Sequence, residues 1–202
     1  MDHRGYPYTE LDEVIAKGYN AEGKVAERWV VPKGYESVEH FLKHVDDKTI
    51  KEYGYDSVEE FKTVTGLIDK HLNASSRHSI INKSLAGSTH EKGVDYDVLG
   101  LPIFKGDAVK FTTNLREDLF IARDPDQFGS CTNALKEAID KGEISKDLFT
   151  EKQLAQINRG KAKIQDLTWH HHQVPGKMQL VVTNIHQANH LGGNKLWGEG
   201  IR

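Results

Sequence analysis

Apolar positions in the first third of the chain recur at helical spacing. Val38, Phe41, Leu42 and Val45 fall on one helical face, and so do Val58, Phe61 and Val64. Both stretches belong to a short internal repeat: Gly34-Tyr35-Glu36-Ser37-Val38-Glu39-His40-Phe41 returns as Gly54-Tyr55-Asp56-Ser57-Val58-Glu59-Glu60-Phe61. Each copy reads as a turn followed by a serine-capped helix, and Ser57 with Glu60 has the spacing of a capping box. Residues 73–130 lose that periodicity. Turn signals crowd there, at Asn73-Ala74-Ser75-Ser76, Ala86-Gly87-Ser88, Lys105-Gly106-Asp107 and Asp124-Pro125-Asp126. The apolar pieces between them, 98–104 and 109–111, suit small strands or extended loops. Two helices should follow. One covers 133–141 and ends at Gly142; the other covers 150–158, opens on a Thr150/Gln153 capping box and closes near Gly160. In the last segment 167–173 reads as a strand and 178–182 as the strand returning. Val174-Pro175-Gly176-Lys177 forms the turn between them, with proline second and glycine third. Thr183 or Asn184 then caps a helix that carries His186 and His190.

Composition narrows the class. The chain has 202 residues, 37% hydrophobic and 28% charged, which suits a globular protein with a modest core and a well-solvated surface. No apolar run approaches the length of a membrane span, so no membrane-spanning segment is expected. Met1-Asp2-His3-Arg4-Gly5-Tyr6 lacks the apolar core of a signal peptide, so none is expected in this chain. The single cysteine, Cys131, excludes an internal disulfide and a cysteine-based zinc site, and should pack as a small apolar residue beside a helix start. The net charge of −3 argues against a uniformly basic nucleic-acid binder, yet the charge is uneven. From Glu151 onward seven basic residues face three acidic ones, a balance of +4 that leaves −7 for the first 150 residues. The tail can approach phosphates while the remainder faces elsewhere.

The chemistry concentrates in that tail. Five of the 11 histidines lie between His170 and His190. Histidine is the commonest metal ligand and the usual general base near neutral pH. On a helix His186 and His190 would share one face and could share one ion. A third ligand from the neighbouring hairpin would leave positions open for water and a substrate oxygen. Strand alternation puts His170 and His172 on one face, with Trp169, His171 and Gln173 on the other. Periodicity leaves open which of the three consecutive histidines meets the helix. A ligand and a base on adjacent residues would need a twisted strand, a bulge or a strand end.

Thr168-Trp169-His170-His171-His172-Gln173, Gly176-Lys177-Met178-Gln179-Leu180-Val181, His186-x-x-x-His190-x-Gly192-Gly193 and Trp197-Gly198 together resemble the HNH/endonuclease VII superfamily. The likeness is greatest to its nuclease-toxin group named for a Trp-His-His motif. It extends back to Ser84-Leu85-Ala86-Gly87-Ser88-Thr89-His90, Gly100-Leu101-Pro102-Ile103-Phe104 and the helix around Phe149–Leu154, covering about residues 84–202. The resemblance implies an α+β fold, with a ββα-metal (His-Me finger) nuclease core over 164–195 at the C-terminal end. A mainly helical N-terminal region, 1–75, would precede a nuclease domain over 76–202. It implies His170, His186 and His190 as metal ligands and His171 as the general base. Gln179, where many members have asparagine, would orient that base. His172 is the first alternative for either ligand or base. Gln173, Lys177 and Lys195 would contact substrate or support the histidines, and Trp169 belongs to the core.

The function so implied is a metal-dependent endonuclease that hydrolyses DNA. It would be a bacterial competition toxin, delivered into a target cell and neutralised by an immunity protein. One divalent ion is implied, with zinc, nickel, magnesium or manganese all open; three imidazoles suit zinc or nickel better than magnesium. Two other readings stand beside it. The same histidines could serve a ribonuclease toxin, or hold a structural zinc in a binding module that cuts nothing. Gly192-Gly193 is read as a helix end ahead of a phosphate-approach loop.

Overall fold

The structure is a computed structural model, described for residues 14–19, 25–31, 38–74, 89–97, 99–188, 190 and 192–198. The turn of the first repeat copy at 34–37, the turn signals at 75–76 and 86–88 and the stretch Ser84–Ser88 lie outside these residues. The chain divides into two compact units, 1–104 with 188–191 and 105–187 with 192–202. The boundary expected near residue 75 falls beside that undescribed stretch.

The first unit opens on an antiparallel hairpin, β1 (Val14–Tyr19) and β2 (Val25–Val31), bulged between Ala16 and Lys17. A mainly helical N-terminal region was the expectation; this hairpin, which was not foreseen, precedes the helices there. Both strands are rich in β-branched valine and isoleucine, which favour extended backbone. Three helices follow, α1 (Val38–His44), α2 (Asp47–Glu52) and α3 (Val58–Ala74). Asp46 separates the first two by accepting a hydrogen bond from Thr49 N, 2.8 Å away, which caps α2. The second repeat copy folds as a turn and a capped helix. Ser57 Oγ accepts from Glu60 N at 3.1 Å, and the Glu60 carboxylate accepts from Asp56 N, one residue before the cap, at 2.7 Å. The capping box is thus shifted by one residue. Asn73 and Ala74, expected to start a turn, complete α3. The repeat's apolar face becomes a cluster in which Phe61 meets Phe41, Tyr53 and Tyr55 edge-on, with centroids 4.8–6.2 Å apart.

A short ladder pairs β3 (Asp95–Tyr96) with β4 (Pro102–Ile103), a small strand of the kind expected within 98–104, and it does not extend back over Leu99–Leu101. The reason is Asp97. Its carboxylate accepts from Leu99 N at 2.8 Å and Leu101 N at 3.0 Å, which bends the chain, and from Tyr55 Oη at 2.7 Å. Burial pushes this carboxyl up to about 6, against the pull of those donors. Because the folded value exceeds the unfolded value of about 3.9, the stabilisation is complete below pH ~4 and is lost as pH rises through ~6. Asp97→Asn stays neutral throughout. Its urea midpoint should therefore gain on wild type between pH 4 and pH 7, and a constant difference would refute this.

The second unit is built on a three-stranded antiparallel sheet ordered β5-β7-β6, with β5 (Val109–Asn114), β6 (Leu167–His171) and β7 (Lys177–Val182). α4 (Asp124–Asp140) lies against β5, α5 (Glu151–Asn158) packs on α4, and one-turn helices follow, α6 (Thr183–His186) and α7 (Asn194–Trp197). β5 runs three residues past the expected 109–111, because edge-strand threonines and asparagine pair through backbone while facing water. α4 begins nine residues earlier than expected. Asp124-Pro125-Asp126, read as a loop, is its first turn, where proline lacks only an N–H that no helical carbonyl would accept and acidic residues suit the dipole. Cys131 consequently lies inside the helix, 1% exposed. The Thr150/Gln153 box forms in both directions, at 3.2 and 2.9 Å. The hairpin turn forms as well, with Gly176 at φ 74° and Lys177 N donating to Val174 O at 3.1 Å.

One expectation fails here. α6 ends at His186, so no helix carries both His186 and His190. Thr183 does not cap it either; its hydroxyl pairs with Thr168 Oγ1 at 2.9 Å. No helix among the described residues is long and apolar enough to cross a membrane.

Candidate active site

β6 and β7 pair in register, so that His170 stands opposite Gln179 and His171 opposite Met178. α6 follows β7 directly and brings His186 back beside the first strand: His170 Nδ1 and His186 Nε2 are 3.2 Å apart. Two nitrogens bound at about 2.1 Å to one tetrahedral ion lie roughly 3.4 Å apart, so this pair has the spacing of two ligands. His190 supplies the third, and ring nitrogens of His170, His186 and His190 all lie within 4.8 Å of one another. The i/i+4 helix expected to join His186 and His190 is absent, yet the ligand set expected from the sequence converges.

The chemistry of the donors suits a cation. His190 Nδ1 lies 2.7 Å from Ala188 O; a carbonyl only accepts, so Nδ1 carries the proton and Nε2 keeps its lone pair. Burial lowers the His190 pKa, which favours the neutral imidazole that binds metal. On the strand opposite His170, the buried Gln179 Oε1 has no hydrogen-bond partner among the described residues. A ligand-bound water or ion would satisfy it.

His171 ends β6 and turns to other neighbours. Its ring lies between Phe128 and Trp197, with centroids at 5.3 and 5.6 Å, and its Nε2 is 2.7 Å from Gln127 Oε1. Asp124 Oδ1 is 4.0 Å from the same nitrogen. Burial pushes the His171 pKa down to about 4. β6 ends at His171, and at this strand end the adjacent rings of His170 and His171 meet different neighbours.

His172 points back toward His170, with ring centroids 6.2 Å apart. Its Nδ1 accepts from Val174 N at 3.1 Å, so in the neutral ring the available lone pair is already used. Burial, and secondarily the charge of Lys177, pushes its pKa down to about 3. The residue pins the strand end: its N–H donates to Lys177 O at 3.0 Å and its carbonyl accepts from Trp197 Nε1 at 2.8 Å. Gly193 completes the lock. Its N–H donates to His171 O at 3.0 Å, and any Cβ there would strike the His172 carbonyl. The helix-end reading of Gly192-Gly193 is corrected accordingly, since Gly193 precedes α7 and serves close backbone approach.

Gln173 and Lys177 are buried, Lys195 is exposed on α7, and Trp169 sits in the core with Nε1 donating to Thr132 Oγ1 at 3.1 Å. The amide that His171 meets belongs to Gln127, where Gln179 was expected. Forty-four residues separate the pair in sequence, and a lone glutamine within an amphipathic helix carries no signal that would single it out.

No curated protein and no solved structure matches the chain. Residues 94–192 match the family model for the DNase/tRNase domain of colicin-like bacteriocins. That segment contains the sheet, α4, α5 and the three converging histidines, and the match supports a nuclease toxin domain of colicin-like type in this chain.

Proposed function

We propose that the protein is a metal-dependent endonuclease of the HNH type that hydrolyses DNA and acts as a bacterial competition toxin. The observation that carries this reading is the convergence within 4.8 Å of His170, on a β-hairpin, with His186 and His190 from the segment that follows it. β6, β7 and α6 would form the ββα-metal core. The three histidines would hold one divalent ion through neutral imidazoles, a donor set suited to zinc or nickel, with magnesium and manganese still to be tested. Such an ion supplies Lewis acidity toward a phosphate oxygen and the departing oxygen.

The chain's own groups do the remaining work. His171 acts as general base. Gln127 Oε1 only accepts from His171 Nε2, so that nitrogen carries the proton and Nδ1 offers the lone pair that takes a proton from the attacking water. His172 is the weaker candidate, because its Nδ1 is engaged by Val174 N. Lys195 is exposed and suited to a backbone phosphate, while buried Gln173 and Lys177 support the hairpin turn. The basic balance of the last segment fits both a phosphate backbone and an acidic immunity protein made by the producing cell.

A ribonuclease is the second reading, favoured by a family description that covers both DNase and tRNase domains. Purified protein should nick supercoiled plasmid only with added divalent metal, and EDTA should stop it. EDTA-resistant cleavage of total RNA to 2′,3′-cyclic ends, with plasmid left intact, would overturn the DNase reading. An ion-binding protein that cuts neither would point to a binding module, although a closed zinc site needs a fourth ligand beyond the three that converge among the described residues.

A further inference from the structure

Gln127 is 0% exposed in the first half of α4, and every polar atom of its side-chain amide is committed. Its Nε2 donates to two backbone carbonyls, Leu119 O at 2.8 Å and Phe120 O at 3.0 Å. Both partners can only accept, so the amide cannot be reversed without setting oxygen against oxygen in a buried place. The carbonyl end therefore faces His171 Nε2, 2.7 Å away. An acceptor at that distance selects the tautomer with hydrogen on Nε2. Phe128 and Trp197 flank the ring and fix its plane.

We propose that Gln127 is the positioning residue for His171, holding the imidazole as the Nε2–H tautomer so that Nδ1 stays an acceptor. The inference rests on the reading of His171 as general base. The register argues that Gln179 cannot do this job from its own strand, because it stands across from His170 and Met178 occupies the position across from His171. The orienting amide is supplied by a helix from far earlier in the chain, in the way that outer groups fix the tautomer of catalytic and metal-binding histidines. The 3-10 turn Glu117–Leu119 and the residue after it contribute only carbonyls, yet they decide which way the amide points.

The experiment combines imidazole nitrogen NMR with cleavage of supercoiled plasmid under saturating metal. In wild type the His171 Nε2 should be the protonated nitrogen and Nδ1 the bare one; an Nδ1–H tautomer in wild type would overturn the proposal without any variant. Gln127→Met keeps the length and removes both amide functions. It should mix the tautomers and lower kcat about 10- to 100-fold, with KM and divalent-ion affinity unchanged. Gln127→Glu restores the acceptor toward His171 only as the protonated acid, whose hydroxyl replaces the amide N–H against Leu119 O and Phe120 O. It should recover the tautomer and part of the lost kcat toward acid pH and lose both as pH rises. Wild-type kcat in Gln127→Met overturns the proposal if His171→Ala is inactive. An active His171→Ala instead removes the general-base reading itself, so the two failures are distinguishable.

Discussion

His171→Ala should abolish plasmid cleavage, with kcat down about 10²- to 10⁴-fold, while divalent-ion affinity stays near that of wild type. His190→Ala should lose both. The difference follows from where the two rings stand. His190 belongs to the converging group of three and keeps Nε2 bare by giving its Nδ1 proton to Ala188 O. His171 instead engages Gln127 and offers Nδ1. Calorimetric titration with nickel or zinc, beside the plasmid assay, checks the pair. Equal loss of ion binding in both variants would mean that the roles of ligand and base are exchanged. Because His171→Ala strands a buried Gln127 oxygen at a cost of about 1–3 kcal/mol, a thermal melt must show that the variant is folded at the assay temperature.

Gly193→Ala should be the most damaging conservative change in the second unit. Backbone conformation is no obstacle, since Gly193 has φ −56°. Space is the obstacle: the added methyl would meet the His172 carbonyl, and backbone there cannot swing aside like a side chain. The same few atoms hold the Gly193 N to His171 O bond and the Trp197 Nε1 to His172 O bond. Relieving the clash should cost about 3 kcal/mol, at the upper end for overpacking, and shift both His171 and His172. Urea unfolding and plasmid cleavage measure the two effects. Gly192→Ala is the matched control, because nothing lies within 4 Å of a Cβ there. Equal behaviour of the two variants would remove the lock at 193.

Much of the site could be read in the sequence because its chemistry is local. His170, the Pro175-Gly176 turn, His186 and His190 span few residues, and turn and strand signals act over that range. What the pattern missed was how His190 arrives. The spacing of His186 and His190 matches helical periodicity, but α6 stops after one turn and His190 comes within reach of the other two histidines outside any helix. Gln127 was illegible for a different reason: its meaning depends on Leu119 O, Phe120 O and a ring 44 residues away. The start of α4 was lost to Pro125, which breaks helices everywhere except in the first turn. The β1–β2 hairpin was overlooked beside a strong helical repeat, although its valines favour extended backbone.

Cys131 gives the protein an experimental convenience. Burial inside α4 pushes its thiol up to about 12, so thiol reagents near neutral pH meet almost no thiolate there. A cysteine introduced at exposed Asn184 on α6 would then be labelled alone, without removing the native one. Fluorophores or spin labels could in this way report on substrate engagement in an otherwise unaltered chain.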